Sequence, residues 1–337
     1  MVITGDNNQG KTNFLEAIYF SAKLTSPRES EASVLIQLGH NEAQLGVDFV
    51  ANDATINRVY LTLDRENPVK IQLNEQLVKS VAGYRRQFNV EFINADVIRI
   101  FTESPEFRRR DLGQFIAQMD PVYGDEVTRY QRVMRQRNQA LQQGSSEKTL
   151  AIWNQQLATL AAEIVEKRLA AIQKLEVSMN GLAQRLFPDY LPIEIHYRIH
   201  GFSLPEFSKA DYATQLMAGL ASRYARERDQ GVTTLGPHRD DIALHANSRE
   251  LTAYYSRGIN RAMAFVWKLA QIELIWDAGT GTLLLDEPFA EIDDHFRERI
   301  SHLINPDYQV ILATIDRSNT RYFDSPQVLS VTAGRVI

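Results

Sequence analysis

Near its N-terminus the chain reads Gly5-Asp6-Asn7-Asn8-Gln9-Gly10-Lys11-Thr12, which fits the pattern G-x-x-x-x-G-K-[ST] at every fixed position. The two glycines let the backbone curl so that successive N–H groups face a phosphate group. The amine of Lys11 can reach the β and γ phosphates of a nucleoside triphosphate, and the hydroxyl of Thr12 can bind Mg²⁺. The sequence therefore predicts a phosphate-binding loop at residues 5–12 that takes ATP with Mg²⁺.

The segments on both sides of this loop agree with that function. Val2-Ile3 predicts a short buried strand before the loop, and apolar residues at Phe14, Leu15 and Ile18 predict one face of a helix after it. The positive N-terminal end of such a helix stabilises negative phosphate charge. A strand, a glycine loop and a helix in this order are typical of P-loop ATPases.

A second motif supplies the acidic part of the predicted site. Residues 282–288 read Thr-Leu-Leu-Leu-Asp-Glu-Pro, an apolar run that predicts a buried parallel strand ending in two acids. Ligands bind beyond the carboxyl ends of parallel strands in open α/β sheets. Asp286 is therefore the second candidate Mg²⁺ ligand, beside Thr12. Glu287 is the candidate catalytic base, placed to orient or deprotonate the attacking water.

Two later segments extend this motif. Residues 308–314 predict another buried strand, and its last residue, Thr314, stands where related ATPases have a γ-phosphate sensor. Between the two strands lies Ala290-Glu291-Ile292-Asp293, at the position of a loop that contacts the opposite subunit in ABC-type ATPases. Acidic residues are equally expected at a helix N-terminus, so both interpretations of this loop stay open.

Composition narrows the class of protein. The 337 residues, 44% of them hydrophobic, suffice for one large or two ordinary globular domains. There is no cysteine, which excludes disulfides and zinc–thiolate sites. The sequence has no apolar run long enough to cross a membrane and no pattern of a secretory signal, and we expect a cytoplasmic protein with no membrane contact. A net charge of −5 means that nucleic-acid binding would require local basic patches.

The patterns along the chain change twice. Residues 1–105 and 231–337 mix strand and helix patterns, whereas 106–230 are mainly helical. Period-two alternation predicts strands at 47–50 and 56–63. We therefore expect an ATPase lobe formed by 1–105 and 231–337, with 106–230 as a helical second lobe.

The helical part contains a predicted hairpin. Apolar residues spaced three, four or seven apart over 150–182 predict one long helix, and the polar turn at 142–146 separates it from a preceding helix. Two interpretations remain open for this hairpin. It is either an ordinary helical subdomain or a short remnant of the coiled-coil arm of chromosome-organising ATPases.

Three segments resemble the RecF family. The stretch Leu235-Gly236-Pro237-His238-Arg239-Asp240-Asp241 resembles the Gly-Pro-His-Arg-Asp-Asp segment of RecF proteins. Ser256-Arg257-Gly258, with a predicted helix at 262–274, resembles the RecF form of the ABC signature. Ser104-Pro105 with Arg108-Arg109-Arg110 resembles a stretch before the helical lobe. The resemblance covers nearly the whole chain in the right order, and its specific part is the first segment, although Gly-Pro alone marks only a turn.

The resemblance implies an α/β fold, a P-loop ABC-type ATPase head with a mainly helical second lobe. It implies an ATP-dependent homodimer that binds duplex and gapped DNA and helps to load RecA together with RecO and RecR. The implied ATPase is weak, is stimulated by DNA and gates DNA binding. Ser256 and Gly258 of one subunit would face the γ-phosphate held by the other.

Four features depart from the family pattern. Only four residues precede Gly5, where RecF proteins usually have about two dozen, which predicts a late assigned start or a shortened chain with a bare sheet edge and an incomplete base pocket. Gly258 is followed by Ile259-Asn260 rather than by Gln. The usual Q-loop position, 92–96, contains Asn94 and no Gln. Finally, Asp286-Glu287-Pro288 is closer to general ABC ATPases.

Candidate DNA contacts are two groups of arginines, which can neutralise backbone phosphates without reading bases. Each arginine could equally pair with a nearby acid on a solvated helix face. The first group is Arg108, Arg109, Arg110, Arg129, Arg132, Arg135 and Arg137; the second is Arg223, Arg226 and Arg228. No element suggests base-specific readout.

Two other functions compete with a DNA-repair ATPase. An ABC transporter subunit predicts a Leu-Ser-Gly-Gly-Gln signature and a short insertion, and the sequence has neither. A degraded family member would bind DNA or partners without hydrolysing ATP. The early loop and the altered signature at Ser256-Arg257-Gly258 motivate that alternative.

Overall fold

The computed structural model describes residues 1–337 except 30, 52, 203–205, 277–279, 290, 291, 293 and 337. The chain folds into two compact units. The sheet unit consists of Met1–Ile98 and Trp276–Ile337, and the helical unit is Arg99–Ile275. In the described part of the chain, no helix is long and apolar enough to cross a membrane.

The elements follow the chain in this order. The α-helices are α1 (Lys11–Lys23), α2 (Val81–Arg85), α3 (Pro105–Met119), α4 (Pro121–Gln142), α5 (Glu147–Leu186), α6 (Lys209–Ser222), α7 (Tyr224–Gln230), α8 (Leu251–Tyr254), α9 (Arg257–Trp276) and α10 (Asp294–Ser301). The strands are β1 (Val2–Thr4), β2 (Glu42–Val50), β3 (Ile56–Asp64), β4 (Lys70–Leu73), β5 (Gln76–Leu77), β6 (Val90–Asn94), β7 (Ile193–Arg198), β8 (Asp241–Ala246), β9 (Arg249–Glu250), β10 (Thr282–Asp286), β11 (Gln309–Thr314), β12 (Val328–Thr332) and β13 (Arg335–Val336).

The larger sheet of the sheet unit has the order β13-β12-β1-β11-β10-β6. All its neighbours are parallel except the β12–β13 pair. β10 pairs with β11 on one side and β6 on the other, and Leu283, Leu284 and Leu285 are fully buried. An apolar run suits a strand covered on both faces, so the prediction of a buried parallel strand at 282–288 is confirmed for β10. β1 is likewise paired on both sides, by β11 and β12.

The smaller sheet, β2-β3-β4-β5, is an antiparallel meander. Its first two strands contain the alternating segments 47–50 and 56–63, so both strand predictions are confirmed. Helix α1 packs against both sheets. Its Leu15 and Phe20 share one buried core with Leu61 of β3 and with Leu284 of β10. Burial of one apolar face on two sheets fixes the direction in which the helix N-terminus points.

The helical unit contains the predicted hairpin. α4 ends at Gln142 and α5 begins at Glu147, where Ser146 caps the helix by accepting a hydrogen bond from the N–H of Thr149 at 3.3 Å. α5 has 40 residues, which corresponds to a length of about 60 Å. It packs against α4, α6 and β7. The hairpin is thus part of the core of this unit, which favours an ordinary helical subdomain over the remnant of an arm.

A small antiparallel sheet, β7-β8-β9, completes the helical unit. β8 and most of α9 belong to this unit, although residues 231–275 were expected in the second part of the ATPase lobe. The reasons are pairing and packing. β8 forms its ladder with β7, and the indole N–H of Trp267 in α9 donates a hydrogen bond to buried Asp111 in α3 at 2.8 Å. The division of the chain therefore differs from 1–105, 106–230 and 231–337.

Candidate nucleotide-binding site

The loop between β1 and α1 has the backbone that a phosphate-binding loop requires. Gly10 has φ of 102°, a conformation that glycine adopts readily and L side chains rarely do. A Cβ atom on Gly5 would lie 2.5 Å from the carbonyl oxygen of Val331, a distance that permits only glycine. Both glycines of the motif are therefore required by geometry. The loop opens at the N-terminus of α1, where unpaired N–H groups and the helix dipole attract anions.

Lys11 is the first residue of α1 and its side chain is buried. Its ammonium group donates hydrogen bonds to the carbonyl oxygens of Gly5 and Asp6, both at 2.9 Å. The amine therefore lies over the centre of the loop, as the motif predicts for a phosphate contact. Because its present partners are neutral carbonyls, a phosphate oxygen would be a stronger acceptor for the same charge.

The β12–β13 turn supports the same loop, a contact that the sequence did not reveal. The side-chain oxygen of Gln9 accepts a hydrogen bond from the N–H of Ala333 at 2.6 Å, and its carbonyl accepts one from the N–H of Gly334 at 2.9 Å. Gly334 also lines the cleft in front of the loop. Residues of the β12–β13 turn thus hold the loop in addition to α1.

Thr12 and Asp286 meet in front of α1. The hydroxyl of Thr12 lies 3.1 and 3.0 Å from the two carboxylate oxygens of Asp286 and donates to them. Burial raises the pKa of Asp286, and the hydrogen bond from Thr12 and the charges of Arg28 and Lys11 oppose this shift. The two residues predicted as metal ligands are therefore neighbours, Thr12 in the first turn of α1 and Asp286 at the end of β10.

Oxygen donors of this kind suit Mg²⁺. A hydroxyl and a carboxylate are hard ligands, and Mg²⁺ typically takes one or two protein oxygens and completes its shell with water and substrate phosphate. Thr12 and Asp286 aim their oxygens at one place, and a partly buried carboxylate with a raised pKa gains most from a cation beside it. The donor set fits the predicted ion.

Glu287 follows Asp286 and is held from β11. Its carboxylate accepts hydrogen bonds from the N–H of Ile315 at 2.7 Å and from the hydroxyl of Thr314 at 3.3 Å. The backbone of Glu287 has φ of 47°, a strained conformation for a residue with a side chain, and such strain is concentrated at functional sites. Burial raises the pKa of this carboxyl, opposed by the hydrogen bond from Ile315. A raised pKa is a property of a general base that must accept a proton near neutral pH.

Thr314 links Glu287 to a second polar side chain. The buried amide of Asn319 donates to the hydroxyl of Thr314 at 2.9 Å, and the N–H of Asp316 donates to it at 3.2 Å. The residue proposed as a γ-phosphate sensor is therefore oriented by two donors. The sequence did not predict a role for Asn319, because a single asparagine in the segment after β11 belongs to no motif.

The cleft in front of the loop is open to solvent and is lined by Asn7, Asn8, Gln9, Gly10, Lys11, Thr12, Asn13, Arg28, Asp286, Glu287 and Gly334. Lys11, Thr12, Asp286 and Glu287, predicted from two distant motifs, thus share one cavity. Arg28 also lines this cleft, although no sequence motif predicted it. Its exposed guanidinium lies close enough to Asp286 to lower the pKa of that carboxyl, and it gives the cleft a second cation. The sequence offered no motif for it, since one arginine in a loop has many possible roles.

Among the described residues, the others predicted from the ATPase motifs do not line this cleft. Ser256 and Gly258, candidates for contact with a second ATP, stand at the start of α9 in the helical unit, where the hydroxyl of Ser256 accepts from the N–H of Ile259 at 3.4 Å. Asn94, at the Q-loop position, is buried and accepts from the N–H of Val97 at 2.9 Å. Ala290, Glu291 and Asp293 of the predicted inter-subunit loop lie outside the described residues.

The arginine groups divide into exposed and internal members. Arg137 is fully buried and forms an ion pair with buried Glu227 at 2.6 Å. The prediction that Arg137 contacts DNA is therefore wrong, because its charge is paired inside the helical unit. Arg108 pairs with Asp241 at 2.8 Å, and Arg109 donates to the carbonyl of Asp240 at 2.6 Å, so both are also engaged. The exposed members are Arg110, Arg129, Arg132, Arg135, Arg226 and Arg228.

The Gly236–Asp241 segment is an internal turn. Nδ1 of His238 lies 2.7 Å from the hydroxyl of Tyr130, and burial lowers the pKa of His238 to about 4. Arg168, itself buried, donates to the carbonyl of Pro237 at 2.7 Å. Gly236 has φ of 125°. The segment that carried the family resemblance therefore serves the packing of the helical unit, as a turn with a half-buried histidine.

The chain is similar to three RecF proteins over nearly its whole length. The chain is 32% identical to the DNA replication and repair protein RecF of Exiguobacterium sp. AT1b over 343 residues, which is 99% of this chain and 92% of that protein. It is 30% identical to the RecF protein of Thermosynechococcus vestitus, with 99% and 90% covered. It is 29% identical to that of Staphylococcus aureus USA300, with 100% and 93% covered. No protein-family model matches the chain.

Solved structures give the same result for the fold. The chain superimposes with a TM-score of 0.85 on the recombination mediator protein RecF-ATPrS in the RecFOR pathway, at 24% identity and with 99% of this chain and 90% of the other covered. An SMC head bound to the C-winged helix domain of ScpA gives 0.54 at 15% identity, with 100% and 88% covered. The predicted fold class, an α/β ATPase head with a mainly helical second part, is confirmed.

Proposed function

The chain belongs to the RecF family of DNA replication and repair proteins, and from this premise we propose that it is an ATP-dependent DNA-binding protein of recombinational repair and replication in the cytoplasm. One observation carries the ATP part of the proposal. The phosphate loop and the acidic end of β10 converge, with Thr12 donating to Asp286 in a cleft that also contains Lys11. Such convergence of a cation, a hydroxyl and a carboxylate suits a nucleoside triphosphate with Mg²⁺.

Each group of the cleft has a role in this proposal. The N–H groups of residues 5–12 and the amine of Lys11 bind the β and γ phosphates, and Arg28 adds charge at the mouth of the cleft. Thr12 and Asp286 hold the Mg²⁺. The ion, when bound, neutralises the charge on the phosphate oxygens. Gly5 and Gly10 keep the loop backbone close to the triphosphate.

Glu287 is the proposed base of a slow, DNA-stimulated hydrolysis. Its carboxylate is fixed by Ile315 and Thr314, so it can hold a water molecule in one orientation. Its raised pKa lets it accept a proton from that water. Thr314, which Asn319 orients, contacts the γ-phosphate. Because Thr314 is the last residue of β11, this contact couples the phosphate to that strand.

DNA and partner proteins are the second half of the proposal. We infer an ATP-dependent homodimer in which Ser256 and Gly258 of each subunit face the ATP of the other. Exposed Ser256 at the N-terminus of α9 supports this, because a helix N-terminus attracts phosphate. Duplex and gapped DNA bind through exposed arginines, and RecO and RecR are the expected partners in loading RecA. The support for the dimer and for these partners is family membership.

A degraded ATPase remains the second candidate because of the signature. Gly258 is followed by Ile259, where RecF proteins usually have Gln, and the next residue, Asn260, is buried, with its amide nitrogen donating to the carbonyls of Tyr255 and Ser256 at 3.1 and 2.9 Å. That nitrogen is bound to its own backbone and is not available to a nucleotide. In this alternative the protein binds DNA or partners without hydrolysing ATP.

Parallel assays on one preparation separate the two candidates. ATP binding is measured by titration with a fluorescent ATP analogue in the presence of Mg²⁺, and phosphate release is measured with and without gapped DNA. DNA affinity is measured with ATP, with ADP and without nucleotide. The proposed function predicts tighter DNA binding with ATP and DNA-stimulated phosphate release. DNA binding without any phosphate release supports the degraded member, and absence of ATP binding contradicts the proposed function.

A further inference from the structure

Two histidines and a glutamate form a cluster on the small sheet of the helical unit, far in sequence from the ATPase motifs. Glu194 and His196 are two residues apart on β7, so their side chains lie on the same face. His245 on β8 stands directly opposite Glu194 in the antiparallel register. Cross-strand neighbours of this kind bring side chains within contact distance.

Three potential ligand atoms lie close together in this cluster. One ligand atom from each residue lies within 4.8 Å of the other two. The rings of His196 and His245 stack with centroids 4.0 Å apart and planes inclined by 1°, and a carboxylate oxygen of Glu194 lies 3.6 Å from Nε2 of His196. In a tetrahedral zinc centre, bonds of about 2.0–2.1 Å separate the ligand atoms by about 3.4 Å. Because the lone pair of each imidazole nitrogen lies in its ring plane, the half-exposed ring of His196 would turn out of the stack with His245 to direct its nitrogen at the same ion.

One atom in this cluster lacks a partner. Nε2 of His245 is buried, and within the described residues it has no hydrogen-bond partner. A buried ring nitrogen without a partner loses the energy of a hydrogen bond to water, so such groups normally bind a donor, an acceptor or an ion. The ring of His196 stacks on the face of the His245 ring, so it does not block the lone pair of Nε2, which lies in the ring plane.

The neighbouring charges do not oppose a cation. Arg198, the next residue on this face of β7, pairs with Glu250 at 3.0 Å. Glu250 stands opposite His245 in the β8–β9 register. The positive charge nearest to the cluster is thus neutralised by its own acid, while Glu194 has no cationic partner other than His196 among the described ion pairs.

We propose that Glu194, His196 and His245 form a binding site for one divalent transition-metal ion of the zinc class. Two imidazole nitrogens and one carboxylate are ligands that Zn²⁺ accepts, with water in a fourth position, whereas Mg²⁺ disfavours nitrogen ligands. The ion would join β7 to β8, and because it binds the folded protein it would stabilise the helical unit. The site is independent of the ATP cleft and does not rest on the proposed function.

The test is a zinc titration of tag-free, metal-stripped protein against a competing chromophoric chelator. A large excess of Mg²⁺ keeps the oxygen ligands at Thr12 and Asp286 occupied. We expect one Zn²⁺ per chain and a higher melting temperature with zinc. His196→Ala and Glu194→Gln should each lower zinc affinity by about tenfold or more, since loss of even an outer-shell partner has that effect. His40→Ala, an exposed histidine in the turn before β2, serves as the matched control.

Each outcome decides the proposal. Absence of zinc binding by the parent chain overturns it, as does a stoichiometry that His196→Ala leaves unchanged. Loss of binding in His40→Ala would assign the ion to another place and overturn it too. His245 is half-buried and its replacement risks the fold, so the exposed His196 and Glu194 variants are the decisive ones. Visible absorption of the Co²⁺-substituted protein, lost in His196→Ala, provides a second readout.

Discussion

The hydroxyl of Thr12 shares its one hydrogen between the two carboxylate oxygens of Asp286, at 3.1 and 3.0 Å, although 274 positions separate the two residues in the chain. Parallel strands β1 and β10 are both neighbours of β11, so their carboxyl ends open at one edge of the sheet. The bond therefore joins the phosphate loop to the acidic motif before any ligand binds. The same hydrogen bond holds the Asp286 carboxylate at a partly buried position, where its negative charge is unfavourable.

Asp286→Asn should stabilise the ligand-free protein and abolish Mg²⁺-dependent ATP binding. Burial raises the folded-state pKa of Asp286 above its ordinary 3.8. A carboxyl shifted in this direction contributes stability that is complete below its ordinary pKa and is lost as the pH rises through the folded value. At neutral pH the ionised group is therefore destabilising, and the neutral amide removes that effect. Melting temperature without nucleotide, and ATP titration with and without Mg²⁺, measure the two effects.

Asp316→Asn is the control of opposite sign for that experiment. Hydrogen bonds from Ser318 lower the pKa of Asp316, so its ionised form adds stability above its ordinary pKa, and loss of its charge should lower the melting temperature at neutral pH. A lower melting temperature for Asp286→Asn would contradict the conclusion that burial makes the ionised Asp286 carboxylate destabilising.

Glu287→Gln should retain ATP and hydrolyse it more slowly by a factor on the order of 10²–10⁴, as for loss of a general base. The amide keeps an oxygen acceptor for the N–H of Ile315 and removes a negative charge that repels the γ-phosphate. The variant should accumulate the ATP-bound dimer and stay on DNA longer. Single-turnover hydrolysis and ATP titration measure the two properties, and hydrolysis at the parent rate would show that Glu287 is not the base.

Lys11→Ala should abolish ATP-dependent dimerisation and leave the fold intact. The carbonyls of Gly5 and Asp6 lose their donor, which costs about 1 kcal/mol at a loop that water can reach. Lys23 is the matched control, because it is in the same helix and also donates to a carbonyl, that of Phe88 at 2.9 Å, outside the cleft. Light scattering with and without ATP should show a dimer for Lys23→Ala only. Normal dimerisation of Lys11→Ala would contradict the phosphate role.

DNA binding should be independent of sequence and should weaken steeply with salt. Arg129, Arg132 and Arg135 are exposed and three residues apart on α4, so they form one basic stripe. Each phosphate contact contributes a slope of about −0.9 to the plot of log affinity against log salt on duplex DNA, and Arg132→Ala should reduce the slope by about that amount. Arg58→Ala, exposed but paired with Asp48, should leave the slope unchanged. A flat salt dependence of the parent protein would refute phosphate binding.

Arg137→Met should destabilise the protein by about 3–5 kcal/mol, because it leaves Glu227 charged, buried and unpaired. Replacing both partners, as Arg137→Met with Glu227→Leu, should recover much of that loss. Arg132→Met, exposed on the same helix, should have little effect on stability. Urea unfolding of the three variants measures the difference, and equal stability of the Arg137 and Arg132 single variants would contradict the buried pair.

The sequence alone determined the local parts of this protein. The phosphate loop at 5–12, the buried strand that ends at Asp286 and the long helix α5 each depend on residues close together in the chain. Apolar period and glycine spacing report directly on such elements, because the backbone geometry of a loop, strand or helix repeats over a few residues. Resemblance to the motifs of P-loop ATPases also indicated that the loop and the acids belong to one site.

Only the tertiary structure decided which side chains meet. Arg28 lies near Asp286, and Asn319 orients Thr314. Arg137 forms a buried ion pair with Glu227, whereas its neighbours Arg132 and Arg135 on the same helix are exposed. The physical reason is that these contacts join elements far apart in sequence. Their distances depend on strand order and on the packing of complete faces, and a periodic pattern specifies that a face is buried without specifying what covers it.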